Sequence, residues 1–218
     1  MQDDQYRTLA ADGQSVYRDR GSKFLGYAFH AGRPEDVLQR VENLRKEHPK
    51  ARHYCFAYRL GFAGDDFRAN DDGEPAGTAG RPILGQIDSQ NLVNAGVVVV
   101  RYFGGTKLGA SGLIQAYKAA AAEALTAATA VVRTLKDAYR IEFSYEKMGA
   151  VMRAVERMDL PLEETDFSAK GVLLLQLPRS SAMQTILEVK ARIADVSLDE
   201  ARAMDVIPGV RIERLETP

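Results

Sequence analysis

The chain has 218 residues, 45% of them hydrophobic and 27% charged, a composition of ordinary globular proteins with one large or two small domains. No run approaches the roughly 18–20 apolar residues that span a bilayer. The acidic start MQDDQYRTLA lacks a signal peptide's basic-then-apolar order, and a single cysteine, Cys55, excludes an internal disulfide framework, so a cytoplasmic protein without a membrane partner is expected. Net charge is −1, with 12 Lys/Arg and 15 Asp/Glu from Thr134 onward and 17 and 15 before it, which excludes a basic domain but leaves room for a local basic groove.

The elements follow from periodicity. In PEDVLQRVENLRKEHP, Val37, Leu38, Val41 and Leu44 share a helical face, with Pro34 suited to the first turn and Pro49 ending the helix. HYCFAYRL alternates as a strand does: Tyr54, Phe56, Tyr58 and Leu60 on one face, His53, Cys55, Ala57 and Arg59 on the other. A turn-rich loop, NDDGEPAGTAG, leads to a second amphipathic helix carrying Ile83, Leu84 and Ile87. GVVVVRYF is a continuous β-branched run, as in a parallel strand buried on both faces. A long helix from Ser111 packs through Leu113, Ile114, Tyr117, Ala121, Ala124 and Leu125.

Between Val131 and Asp137 the character changes. AYRIEFSY places Tyr139, Ile141, Phe143 and Tyr145 on the inner face of a strand. Met148, Val151, Met152, Val155 and Met158 then recur at helical spacing as core. A weaker strand at Leu162–Ser168, a strong one in GVLLLQLP, a helix from Ser180 or Ser181 with either serine as N-cap, and a strand at Val210–Leu215 complete the chain. This βαββαβ order predicts a ferredoxin-like domain over residues 134–218 behind an N-terminal domain of residues 1–133.

Two glycine-rich loops carry the functional signal. In RYFGGTKLGASG, Gly104 and Gly109 have P-loop spacing and Ser111 follows, but Ala110 stands where a P-loop has its lysine. A helix start still exposes unpaired N–H groups and about half a positive charge. The candidate anion site is therefore Gly104, Gly105, Thr106, Gly109 and Ser111, with charge from Arg101 and Lys107. The competing reading is a strand-to-helix turn that needs glycines only for close packing. A second loop of the same shape adds Thr78 and Arg81 at its helix start. Its Asp71, Asp72 and Glu74 are candidates to hold Mg²⁺ or act as acid and base; the competing reading is a solvated acidic turn, which is preferred to a catalytic role. His53 and Cys55 share a strand face, yet three histidines and one cysteine are too few for a structural zinc site, and Cys55 is read as a small buried residue.

Taken together, DDGEPAGTAGRPIL and VVVVRYFGGTKLGASGLIQAY resemble the signature of the IMPACT/YigZ family, with GSKFLGYAF and HYCFAYRLG similar to its two earlier blocks. The resemblance implies an α+β protein: an N-terminal β/α domain like domain 2 of ribosomal protein S5, and a C-terminal ferredoxin-like domain similar to domain V of translocating elongation factors. Eukaryotic IMPACT proteins are translational regulators that bind a protein partner of a stress kinase. The resemblance thus implies a non-catalytic regulator that meets RNA or a ribosome-associated protein through its helix starts, with no cofactor. S5-like folds also include small-molecule kinases. The alternative is a phosphate-ligand or nucleotide enzyme, the one reading that calls for Mg²⁺.

Overall fold

A computed structural model describes residues 4–167 and 170–215. Contacts divide the chain into two compact units, Tyr6–Arg133 and Thr134–Pro218 together with Met1–Gln5. Among the described residues, no helix is long and apolar enough to cross a membrane.

The first unit contains β1 (Gln5–Ala11), β2 (Gly13–Asp19), β3 (Ser22–His30), α1 (Pro34–Glu47), β4 (His53–Leu60), β5 (Asp66–Asn70), α2 (Gly80–Ser89), β6 (Ala95–Tyr102), α3 (Gly109–Ala127) and β7 (Thr129–Thr134). β1 pairs with β7; the other five strands form one sheet in the order β2-β3-β6-β4-β5. The valine-rich β6 is central and buried on both faces. It is antiparallel to both neighbours, β3 and β4, which corrects the parallel strand expected from its composition. A run of valines reports burial on two faces, and helices on both sides of an antiparallel sheet produce the same run. Val97 and Val99 face α2 and α3; Val98 and Val100 face α1.

β4 reads the same way, with Tyr54, Phe56, Tyr58 and Leu60 against α1 and Cys55 and Ala57 against the opposite core. On α1 only Val37, Val41 and Leu44 are buried, and Leu38 is 42% exposed. One residue is a 100° turn, and a stripe at i, i+4, i+7 is narrow enough to leave it outside. α3 starts at Gly109, two residues before the expected Ser111. Its buried stripe alternates Leu113, Tyr117 and Leu125 with alanines.

The second unit contains β8 (Lys136–Phe143), a 3₁₀ turn (Tyr145–Lys147), α4 (Met148–Arg157), β9 (Leu162–Asp166), β10 (Gly171–Pro178), α5 (Arg179–Ala194), α6 (Leu198–Ala203) and β11 (Val210–Leu215). Its sheet runs β11-β8-β10-β9, with every pairing antiparallel, the ferredoxin-like order. Tyr139, Ile141 and Phe143 are buried as expected, whereas Tyr145 has left the strand for the 3₁₀ turn and is 56% exposed. The strand expected to reach Ser168 is described to Asp166; Ser168 lies outside the described residues.

Two helix starts differ from expectation. α5 begins at Arg179, and neither serine caps it. Instead the Asp4 carboxylate accepts from Ser180 N (2.9 Å) and Ser180 Oγ (2.5 Å), a cap supplied 176 residues away. The unexpected α6 opens with a capping box, Ser197 to Glu200. Its signature, Ser-Leu-Asp-Glu, is present in the sequence.

Candidate functional site

The two glycine-rich loops meet at one end of the five-stranded sheet, where β6 runs out, β4 begins and α3 starts. Each of the three loop carboxylates goes a separate way. Asp71 turns back on its own loop, accepting from the amides of Gly77 (2.9 Å), Ala79 (3.0 Å) and Gly80 (2.8 Å), so it caps α2. Burial raises its pKa, but these three amides outweigh that effect and, with Arg81, hold the carboxyl below its usual range. Asp72 accepts from Arg45 Nη2 and the Tyr54 amide, both at 2.7 Å.

Glu74 turns inward. Its Oε1 accepts from Arg101 Nη1 (2.5 Å) and Tyr117 Oη (2.8 Å), with all three side chains buried. The Arg101 guanidinium lies over the rings of Phe24 and Phe103, and its Nε is buried without a hydrogen-bond partner among the described residues. Arg101 is therefore the internal counter-ion of Glu74, not a surface cation. Tyr117 accepts in turn from Cys55 Sγ (3.3 Å), which also lies 3.0 Å from the Asp71 carbonyl oxygen. Burial pushes both the thiol and the phenol well above their usual pKa values, so Cys55 stays a neutral thiol. His53 closes the network at the surface. Its Nδ1 donates to the Asp72 carbonyl oxygen (2.9 Å), and its Nε2 lies 3.8 Å from Glu74 Oε1. Among the described residues, no group of three His, Cys, Asp or Glu side chains converges as a metal site.

The α3 start is built differently. Among the described residues no side chain caps it, and Gly104 to Lys107 and Gly109 to Ser111 are all exposed. The glycines divide by role. A Cβ on Gly104 would stand 2.0 Å from the Gly21 carbonyl carbon, so Gly104 is there for packing. Its amide donates to Ser22 Oγ at 3.2 Å. Gly105 (φ +87°) and Gly109 (φ +73°) have left-handed backbones, and nothing lies within 4 Å of where their Cβ atoms would be. Lys107 stands exposed between them. The other loop offers less: the α2 amides are taken by Asp71, and Thr78 is buried with Oγ1 donating to the Pro75 carbonyl (2.7 Å). Arg81 is exposed beside it.

Tyr117 and Ser22 were not foreseen as parts of this corner. A tyrosine in an alanine-rich buried stripe is a usable signal, since its hydroxyl must find a partner. Nothing local marks Ser22.

The fold and this corner define a two-domain α+β protein with an uncapped, glycine-collared helix start above a buried Glu–Arg–Tyr network. The family model for the Impact N-terminal domain matches residues 20–125. The IMPACT family member YigZ of Escherichia coli is 34% identical over 190 residues, 86% of this chain and 91% of its own. An IMPACT family member of Thermus thermophilus is 39% identical over 160 residues, covering 72% of this chain and 84% of its own. A crystal structure titled as that of a hypothetical protein superposes with a TM-score of 0.65 at 28% identity, covering 99% of each chain. The chain belongs to the IMPACT family.

Proposed function

We propose that the chain is a non-catalytic, translation-associated protein that binds RNA by seating a phosphate on the exposed start of α3. The observation that carries this reading is the contrast between the two helix starts in one corner. α2 is capped by Asp71, while α3, longer, preceded by Gly105 and opened by Gly109, both with open space beside them, has no side-chain cap among the described residues. Uncapped amides with the helix dipole behind them favour an anion, and phosphate takes a large share of protein–nucleic acid hydrogen bonds. Lys107 adds a positive charge at the rim. The role of eukaryotic IMPACT proteins in translation points to RNA as the source of that phosphate.

The test is fluorescence anisotropy with labelled single-stranded RNA across a salt series. Affinity should fall steeply with salt. Gly105→Val should weaken binding at least tenfold and leave the circular dichroism spectrum intact, since the new side chain points into open space and adds only backbone strain of roughly 1–2 kcal/mol. Loss of fold and binding together would make Gly105 a turn residue only. RNA binding that is absent at low salt, or indifferent to salt, overturns the proposal.

A further inference from the structure

The sheet register assembles a row of cations beside this corner. Arg18 in β2 is the Cα partner of Lys23 in β3, and Lys23 is the partner of Tyr102 in β6. The next strand enters at Arg52, whose amide donates to the Arg101 carbonyl (3.2 Å) just ahead of β4. All four side chains belong to the α1 face. Their neighbours Tyr17, Phe24 and Arg101 lie on the opposite side, and Tyr102 and Tyr54 pack on the α1 core. Strands stand about 4.8 Å apart, so the row Arg18–Lys23–Tyr102–Arg52 spans roughly 14 Å.

The row is unfavourable as it stands. Like charges directly opposite on paired strands destabilise a sheet. Among the described residues, Arg18, Lys23 and Arg52 have no acidic partner within 4.0 Å, and the nearby acids face other groups: Asp19 lies 4.0 Å from Arg20, Asp72 2.7 Å from Arg45 and Glu47 3.5 Å from His48. Arg18 and Arg52 are exposed, and α1 packs over β4 and β6, leaving the β2 edge of this face open; Val16 there is 54% exposed. Tyr102 is held by His48, the α1 C-cap, whose Nδ1 is 3.1 Å from the Tyr102 hydroxyl while its Nε2 is 2.7 Å from that of Tyr27. That tie brings the end of α1, with exposed Lys46, Glu47 and Lys50, to the same corner. In a chain of net charge −1, such an unneutralised row is a local departure from the average.

We infer that the row Arg18–Lys23–Tyr102–Arg52 is a track for the phosphodiester backbone of single-stranded RNA, on the α1 face at the end of the sheet from which β6 leads into the α3 start. The inference rests on the RNA reading above and names the surface that extends it. A linear row some 14 Å long matches two or three successive phosphates. The row holds an aromatic of its own, the half-buried Tyr102, of the kind on which unpaired bases stack without regard to sequence, while Phe103 next to it turns to the other side, against the Arg101 guanidinium.

The experiment reads RNA affinity, salt slope and melting temperature for wild type, Lys23→Glu, Arg18→Glu/Lys23→Glu and, as a control for net charge, Lys118→Glu on the exposed side of α3. Two lost phosphate contacts should flatten the salt slope by about 1.4 and weaken binding about 25-fold at 0.1 M salt. Lys118→Glu should do neither. Lys23→Glu turns a repulsive cross-strand pair into an attractive one, so its melting temperature should hold or rise while its affinity falls. A polyglutamate peptide of equal charge should displace the RNA poorly; displacement at equal concentration would mark an acidic-peptide surface and overturn the track. If wild type binds RNA and Lys23→Glu binds with unchanged affinity and slope, the track is wrong while the α3 seat stands. If wild type binds no RNA at low salt, the seat itself has failed.

Discussion

Replacing Glu74 by leucine tests the buried network that joins the two loops. The change strands the Arg101 guanidinium in a site where its side chain is 6% exposed and already has one unsatisfied nitrogen, and it removes the acceptor of the Tyr117 hydroxyl. Breaking a buried ion pair from one side costs about 3–5 kcal/mol, and an orphaned buried hydroxyl adds about 1 kcal/mol or more. At about 3–5 °C per kcal/mol for a unit of this size, the melting temperature should drop by roughly 12–30 °C. Replacing both partners, Glu74→Leu with Arg101→Met, removes the uncompensated charge and should recover at least about 2 kcal/mol relative to Glu74→Leu alone. Urea unfolding followed by far-ultraviolet circular dichroism gives all four corners of the cycle, the chain having no tryptophan to report by fluorescence. A coupling energy below about 0.5 kcal/mol would refute the argument, because it would mean that Arg101 does not depend on Glu74.

Two further outcomes follow from the caps. The Asp71 carboxyl titrates below its unfolded value, so the stability it contributes is present above that value and lost as pH falls through the depressed one. Asp71→Asn should therefore lower stability near neutrality and flatten the acid limb from the ordinary carboxylate range downward, measured as urea midpoints; an unchanged acid limb would remove Asp71 as the cause. Asp4→Ala should cost about 1–2 kcal/mol and speed hydrogen exchange in the first turn of α5, and unaltered protection at Ser180 would show that Asp4 does not hold that helix.

Much of the architecture was legible because it rests on local periodicity. The two faces of β4, the valine run of β6 and the βαββαβ order of the second unit all follow from which residues repeat at two or at three and four. The α6 capping box was legible too, in Ser197 and Glu200, and was overlooked only because the segment is short. Strand direction was not: Val97 to Val100 would be buried alike in a parallel or an antiparallel sheet. The start of α5 was equally hidden, since no rule about nearby serines could find Asp4.

At the candidate site the same division holds. The sequence alone determined that two glycine-rich turns lead into helices and that three carboxylates and several cations cluster around them, since residue type and spacing are properties of neighbours along the chain. Tertiary structure decided what each one does. It turned Asp71 into a cap and Glu74 and Arg101 into a buried pair, left the start of α3 without a side-chain cap, and set Arg18 opposite Lys23. Charges interact through space over a few ångströms, and only the pairing of strands far apart in the chain brings these groups within that reach.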